Sequence, residues 1–404
     1  MKVFAARSST VLGWVINLRQ PNMLRLIITS TLTLTLGLVA VPALAITVKA
    51  TGEIETVTSW RHDACTKTDV PDTPARAFRD VNGNIHLIAS HSTARALVGP
   101  SLDTAKRNCA IIFEGHGRDD PKLHDDRSWI SSLHTLDGTT VFALVSNEFH
   151  GQRRRDLCSS GEYMHCWRNS VTAAVSTDGG LSFHLTAPPP AHTVAILPYP
   201  YTGDVGRRTG YFAPTNIVRR GDFWYAFVWA ERFEAQQRGA CLLRTDNLAD
   251  PSAWRAWNGE SFSIRFVHEM HAPLGGPESQ TCQPVASEVL RGTVRSLAVH
   301  RSSQMFIATM AMTYDGITGM WATTSADLVI WSPPQLVWAA PLLFRYSCGD
   351  AMAFDYPALL DPNSRSLSFE DVGTNAYLYM TRLNLANCKI SWDRDLVRLP
   401  VQVE

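Results

Sequence analysis

A unit of about 70 residues recurs along this chain, and that recurrence limits the fold more than any other feature of the sequence. Each unit opens on a short apolar strand, often led by X-Pro. A Gly-containing turn follows, and then a second, more apolar strand. The openings are Pro74–Phe78, Ile130–Leu133, Pro214–Val218, Pro284–Ala286 and Pro357–Leu360. Their prolines at 74, 214, 284 and 357 are spaced by 140, 70 and 73 residues, and Ser131 stands in the intermediate place. The second strands are Ile85–Ala89, Val141–Val145, Trp224–Val228, Met305–Ala308 and Tyr377–Met380. No amphipathic helical pattern of twelve or more residues interrupts them after the N-terminal segment.

The later strands carry a signature of their own. Ser176-Thr177-Asp178-Gly179-Gly180-Leu181-Ser182-Phe183 is an S-x-D-x-G-x-x-aromatic turn. Thr245-Asp246-Asn247-Leu248 leading to Trp254, and Ser325-Ala326-Asp327-Leu328-Val329-Ile330-Trp331, are variants of it. The Asp caps its own turn while the aromatic packs the outer strand onto a neighbouring sheet. Five units of four antiparallel strands predict an all-β, five-bladed β-propeller, with blades over 70–120, 126–190, 211–265, 282–340 and 355–403. Two β-sandwich domains would need a linker, and no Pro/Ser-rich boundary divides residues 46–404.

Residues 26–48 carry no charge, follow Lys2, Arg7, Arg19 and Arg25, and contain Ala43-Leu44-Ala45, a small-residue cleavage pattern. Residues 1–45 are therefore expected to be a signal peptide, with Met23 an alternative start. An uncleaved membrane anchor is the rival reading. The whole chain has 37 basic and 37 acidic residues; cleavage would remove four basic ones and leave 33 − 37 = −4. That balance speaks against nucleic acid or anionic membranes as partners. All eight cysteines follow the leader and show no C-x-x-C spacing, so disulfides in a secreted or periplasmic protein are expected rather than zinc. The pairing is not readable, although Cys158 and Cys166 are close enough to staple one loop.

The opening strands of a propeller line a central funnel, whose mouth is the natural place for a ligand. Asp72 and Asp355 each stand two residues before an opening proline. Glu148 lies six residues after Phe142, and Glu231 six after Tyr225, so the two glutamates occupy equivalent places in adjacent blades. Several carboxyls at one mouth suit glycoside hydrolysis, which needs one protonated and one ionised group. Asp126, Arg76, Trp129, His150, Asn216 and Tyr356 are further candidates for holding a substrate. The plainer readings are an Asx turn at Asp72, an Asp126–Arg127 ion pair, a structural ion pair at Arg76 and core packing for the aromatics.

The S-x-D-x-G-x-x-F turn is similar to the Asp box of sialidase-like propellers. The S-x-D-L-x-x-W turn and the opening Asp72-Thr73-Pro74 resemble the five-bladed glycoside hydrolases of family 43 and their furanosidase relatives. The segments Asp125–Ile130 and Asp250–Trp257 are similar to ones in exported glycosidase-like propellers. The resemblance covers residues 63–403 as architecture. It implies Asp72 as catalytic base and Glu231 as general acid. The auxiliary Asp of that family's second blade has no direct match, and Glu148 or Asp126 would have to fill its place.

Two classes of function follow. One is an exported glycoside hydrolase, a monomer acting on an oligo- or polysaccharide without a redox cofactor, with a structural Ca²⁺ as an option. The other is a non-catalytic carbohydrate- or protein-binding propeller. Carboxyls of Asp72 and Glu231 facing each other across one open pocket would favour the first; a funnel plugged by side chains would favour the second.

Overall fold

A computed structural model describes residues 46–266 and 276–404. The expected signal peptide, residues 1–45, lies outside the described residues. Five antiparallel meanders follow one another along the chain. Their inner strands are Arg76–Arg79, Arg127–Thr135, Val218–Arg220, Val294–His300 and Met352–Leu360. The second strands are Ile85–Ile88, Val141–His150, Phe223–Ala230, Phe306–Tyr314 and Asn375–Ala386.

Side-chain alternation explains why these meanders stack radially. A strand points successive residues to opposite faces, and here both faces are apolar. In Phe223–Ala230, Tyr225, Phe227 and Trp229 pack toward the fourth blade, whereas Ala226, Val228 and Ala230 pack toward the second. In Val141–His150, Val141, Ala143 and Val145 meet the first blade and Leu144 meets the third. Five buried clusters result, one between each pair of neighbours. The cluster joining Ala77 and Leu87 to Leu360 and Tyr379 closes the ring between first and fifth blades. The fold is a β-propeller.

The fifth blade takes its outer strands from the start of the described chain. Val48–Ala50 and Glu55–Thr58 both pair with Lys389–Val403. This closure had no signal in the repeat, because the two partners lie more than 330 residues apart. One opening differs from its expectation. Pro284–Ala286 forms no strand; Val285 N–H donates to Ala240 O, and the inner strand of the fourth blade begins only at Val294. Pro357 lies inside its strand, at a bulge between Asp355 and Ala358.

The turn motif does mechanical work where it was expected to. Asp178 Oδ1 accepts from Leu181 N and Ser182 N, and Asp327 Oδ1 from Val329 N and Ile330 N. In the third copy Asn247, not Asp246, caps the turn, accepting from Ala249 N.

All eight cysteines are paired, as Cys65–Cys109, Cys158–Cys166, Cys241–Cys282 and Cys348–Cys388, which is consistent with an oxidising compartment. The last of these joins the segment before the fifth blade's inner strand to the turn between that blade's second and third strands. Replacing both Cys348 and Cys388 by Ser is expected to cost about 2–4 kcal/mol of stability, read from urea unfolding. An unchanged midpoint and slope would contradict this.

Candidate functional site

A cavity of about 580 Å³ opens on the propeller axis, a volume suited to a sugar or short oligosaccharide. All five blades contribute. Asp72 and Thr73 come from the first blade's opening, and His91 follows its second strand. The second blade supplies Trp129 and Arg127 from its inner strand, and Ser146, Glu148 and His150 from the next. Period-two spacing puts each of these sets on one face of its strand. Arg208, Phe212 and Ala213 come from the third blade, Arg295 from the fourth, and Asp355, Tyr356 and Arg394 from the fifth.

Below the cavity, buried side chains bridge the blades. Buried Arg76 donates from Nε to Ser131 O at 2.7 Å and from Nη2 to Arg295 O at 2.6 Å. Ser131 sits where the register of its strand pair shifts, and such a bulge releases a carbonyl for this contact. Burial, with Arg295 nearby, draws the Arg76 pKa down to about 9. Asn216 exchanges two 2.8 Å hydrogen bonds with the Leu297 backbone. These two expected substrate binders are thus floor groups tying blades together, and neither lines the cavity. Asp126 is likewise buried behind the wall, accepting from His150 N at 3.0 Å and from Arg153.

Asp72 and Glu148 both line the cavity and lie in contrasting surroundings. Asp72 Oδ1 accepts from Arg394 Nη1 at 2.6 Å and from the Tyr356 hydroxyl at 3.3 Å, and His91 Nε2 lies 3.8 Å from Oδ2. Tyr356 has φ +60° at the bulge in its strand, a turn that re-aims its ring into the cavity. Asp355 pairs with Arg295 at 2.9 Å, and that guanidinium stacks on the Tyr356 ring.

Glu148 has no such cation in contact. Its side chain is only 19% exposed, and its Oε2 lies 2.9 Å from His150 Nε2. Burial, reinforced by the negative charge of Asp72, pushes its pKa up to about 8, against the pull of Arg208 and Arg127. Burial and the Arg127 charge hold His150 at about 4. At neutral pH the pair is therefore a carboxylic acid beside an uncharged imidazole.

Glu231, the glutamate expected to act as acid, is placed differently. Its carboxylate pairs with Arg208 at 2.8 Å and Arg238 at 3.3 Å, and it does not line the cavity. Trp129 and His150 do line it, Trp129 edge-on to His91 with ring centroids 5.5 Å apart. Several wall residues lie outside the motifs of the sequence: Arg127, Arg208, Arg295, Arg394 and Phe344. Alternation with Trp129 could have indicated Arg127. The proline-led opening at Pro284 precedes the true inner strand and so masks Arg295, and Arg394 lies on the fifth blade's third strand, far from any motif. Phe344 is 84% exposed at the mouth with φ +62°, an apolar ring held in water by a backbone that resists it.

No family model matches this chain, and no curated protein matches it. Solved structures do resemble it. The catalytic domain of a GH62 α-L-arabinofuranosidase from Coprinopsis cinerea is 8% identical, over 88% of this chain and 97% of that one, with a TM-score of 0.46. A glycosyl hydrolase from Bacteroides ovatus is 10% identical, over 88% and 93%, with a TM-score of 0.46. The α-L-arabinanase of Cellvibrio cellulosa, complexed with arabinohexaose, is 10% identical, over 84% and 96%, with a TM-score of 0.44.

Proposed function

We propose that this protein is a glycoside hydrolase in which Glu148 is the general acid and Asp72 the base or nucleophile. The single observation that carries the reading is the contrast between two carboxyls in one cavity. Burial pushes the Glu148 carboxyl toward its protonated form, whereas Asp72 is ion-paired with Arg394 at 2.6 Å. Environments that separate two carboxyls in this way assign acid and base roles. The Glu148 proton passes to the glycosidic oxygen as the bond to the anomeric carbon breaks. The Asp72 carboxylate either takes a proton from the attacking water or itself bonds to that carbon before water releases it. Arg394 and Tyr356 fix Asp72, and His150 orients the Glu148 carboxyl. Phe344 offers a stacking face for a further sugar at the mouth.

A binding-only propeller has no need of a carboxyl kept neutral at pH 7. We further propose that the protein is exported and acts as a monomer on an oligo- or polysaccharide. N-terminal sequencing of material recovered outside the cytoplasm should begin at Ile46; an intact leader in membranes would contradict export.

Hydrolysis is tested with a panel of aryl glycosides and polysaccharides, products being separated by chromatography. Release of sugar by the wild type, lost in the Asp72 and Glu148 variants, supports the reading. Release by neither would leave the binding propeller. Glu231→Gln separates the two acid assignments. Its amide oxygen still accepts from Arg208, so kcat/KM is expected to fall by less than about tenfold, well short of the loss of a general acid. A fall of a thousandfold would return the acid role to Glu231.

A further inference from the structure

Among the described residues, the charged groups around the cavity pair off with one exception. Asp72 takes Arg394, Asp355 takes Arg295, and Glu231 takes Arg208 from behind the wall. Among the described residues, the guanidinium of Arg127 makes no hydrogen bond or ion pair. It stands directly across the strand pair from Glu148, in the register Glu148↔Arg127, and it is exposed in the cavity wall. Since Glu148 carries its proton at neutral pH, Arg127 faces no ionised partner there. The four guanidiniums of the wall then meet three carboxylates among the described residues, those of Asp72, Asp355 and, from behind, Glu231, which leaves one cation to spare on a chain whose 37 basic and 37 acidic residues balance.

We propose that the cavity takes a glycan bearing an anionic group, a carboxylate or sulfate on a sugar at the reacting bond, and that Arg127 reads that charge. The inference rests on the cavity being a glycosidase site and adds the substrate class. A neutral sugar gives Arg127 only hydroxyls in place of water. An anion supplies a charge-assisted, two-pronged contact at the spot where the site has a cation to spare. The Glu148 carboxyl beside it can remain neutral, so the substrate's charge meets no repulsion from the acid that must protonate its leaving oxygen.

The test measures binding by calorimetry at low salt, using oligogalacturonate, its methyl ester and a sulfated galactan oligosaccharide. Hydrolysis of the same probes is followed in parallel. The acid form is expected to bind about 10- to 100-fold more tightly than the uncharged ester, and Arg127→Gln to erase most of that ratio. Arg127→Lys, which keeps the charge and loses the fork, should retain part of it. The sulfated arm decides which anion is read. Equal affinity for acid and ester, a preference untouched in Arg127→Gln, or no binding of either anionic probe would overturn the inference. Cleavage of neutral glycans without such a preference defeats it and leaves the hydrolase reading standing. Arg127-dependent binding with no cleavage of any glycan does the reverse.

Discussion

Glu148→Gln is expected to lower kcat/KM by about 10²- to 10⁴-fold on glycosides whose leaving group must be protonated. Glutamine keeps the shape of the side chain and a contact with His150, but it has no carboxylic proton to give. Activated aryl glycosides should lose much less, because their leaving groups depart without help. The same substitution should change stability in a pH-dependent way. The folded state holds the Glu148 proton up to about pH 8, whereas a carboxyl in the unfolded chain releases it near 4.5. The contribution of Glu148 to stability is therefore full below about pH 4.5 and is lost as pH rises through that window to about 8, by several kcal/mol. The glutamine variant has no such proton to lose, so its melting temperature should overtake the wild type's in alkaline buffer. Melting curves at pH 5 and pH 9 check this; a constant difference between the two proteins would contradict the buried, neutral acid.

Asp72→Asn should be as damaging, with a different signature. An amide can neither take a proton from water nor attack an anomeric carbon, so losses of about 10²- to 10⁴-fold are expected for activated and unactivated leaving groups alike. Steady-state kinetics on a matched pair of substrates measures the difference. A loss confined to poor leaving groups would make Asp72 the acid and reverse the assignment. Arg394 loses its ionic partner in this variant but keeps an amide oxygen to donate to, and it borders the open cavity, where water can solvate it.

What the sequence disclosed follows from how local its signals are. Blade-forming strands were legible because burial on both faces demands unbroken apolar runs such as Trp224–Val228, and two turns announced themselves through Asp178 and Asp327. Ring closure by Val48–Ala50 and Glu55–Thr58 was not, since nothing local marks a strand that pairs with the far end of the chain. At the site, Asp72, Glu148, Trp129, His150, Asp355 and Tyr356 come together in the cavity because strand ends at equivalent places converge on the axis. Arg76, Asn216 and Asp126 stand at similar places, yet backbone carbonyls, amides and a neighbouring arginine claim their polar atoms. Glu231 lies just past the end of its strand and outside the cavity lining, whereas Glu148 lies within its strand, and their neighbours differ too. Arg208 and Arg238 meet one, and a neutral imidazole meets the other, a difference set by tertiary contacts invisible to spacing.

The most direct measurement is the pH dependence of kcat/KM on a glycan or glycoside with an unactivated leaving group. The wild type should show an alkaline limb falling near pH 8, where Glu148 loses its proton, and Glu148→Gln should lack that limb on an activated substrate that it still cleaves. An alkaline limb that persists unchanged in Glu148→Gln, or no hydrolysis of any glycan by folded wild-type protein, would contradict the account.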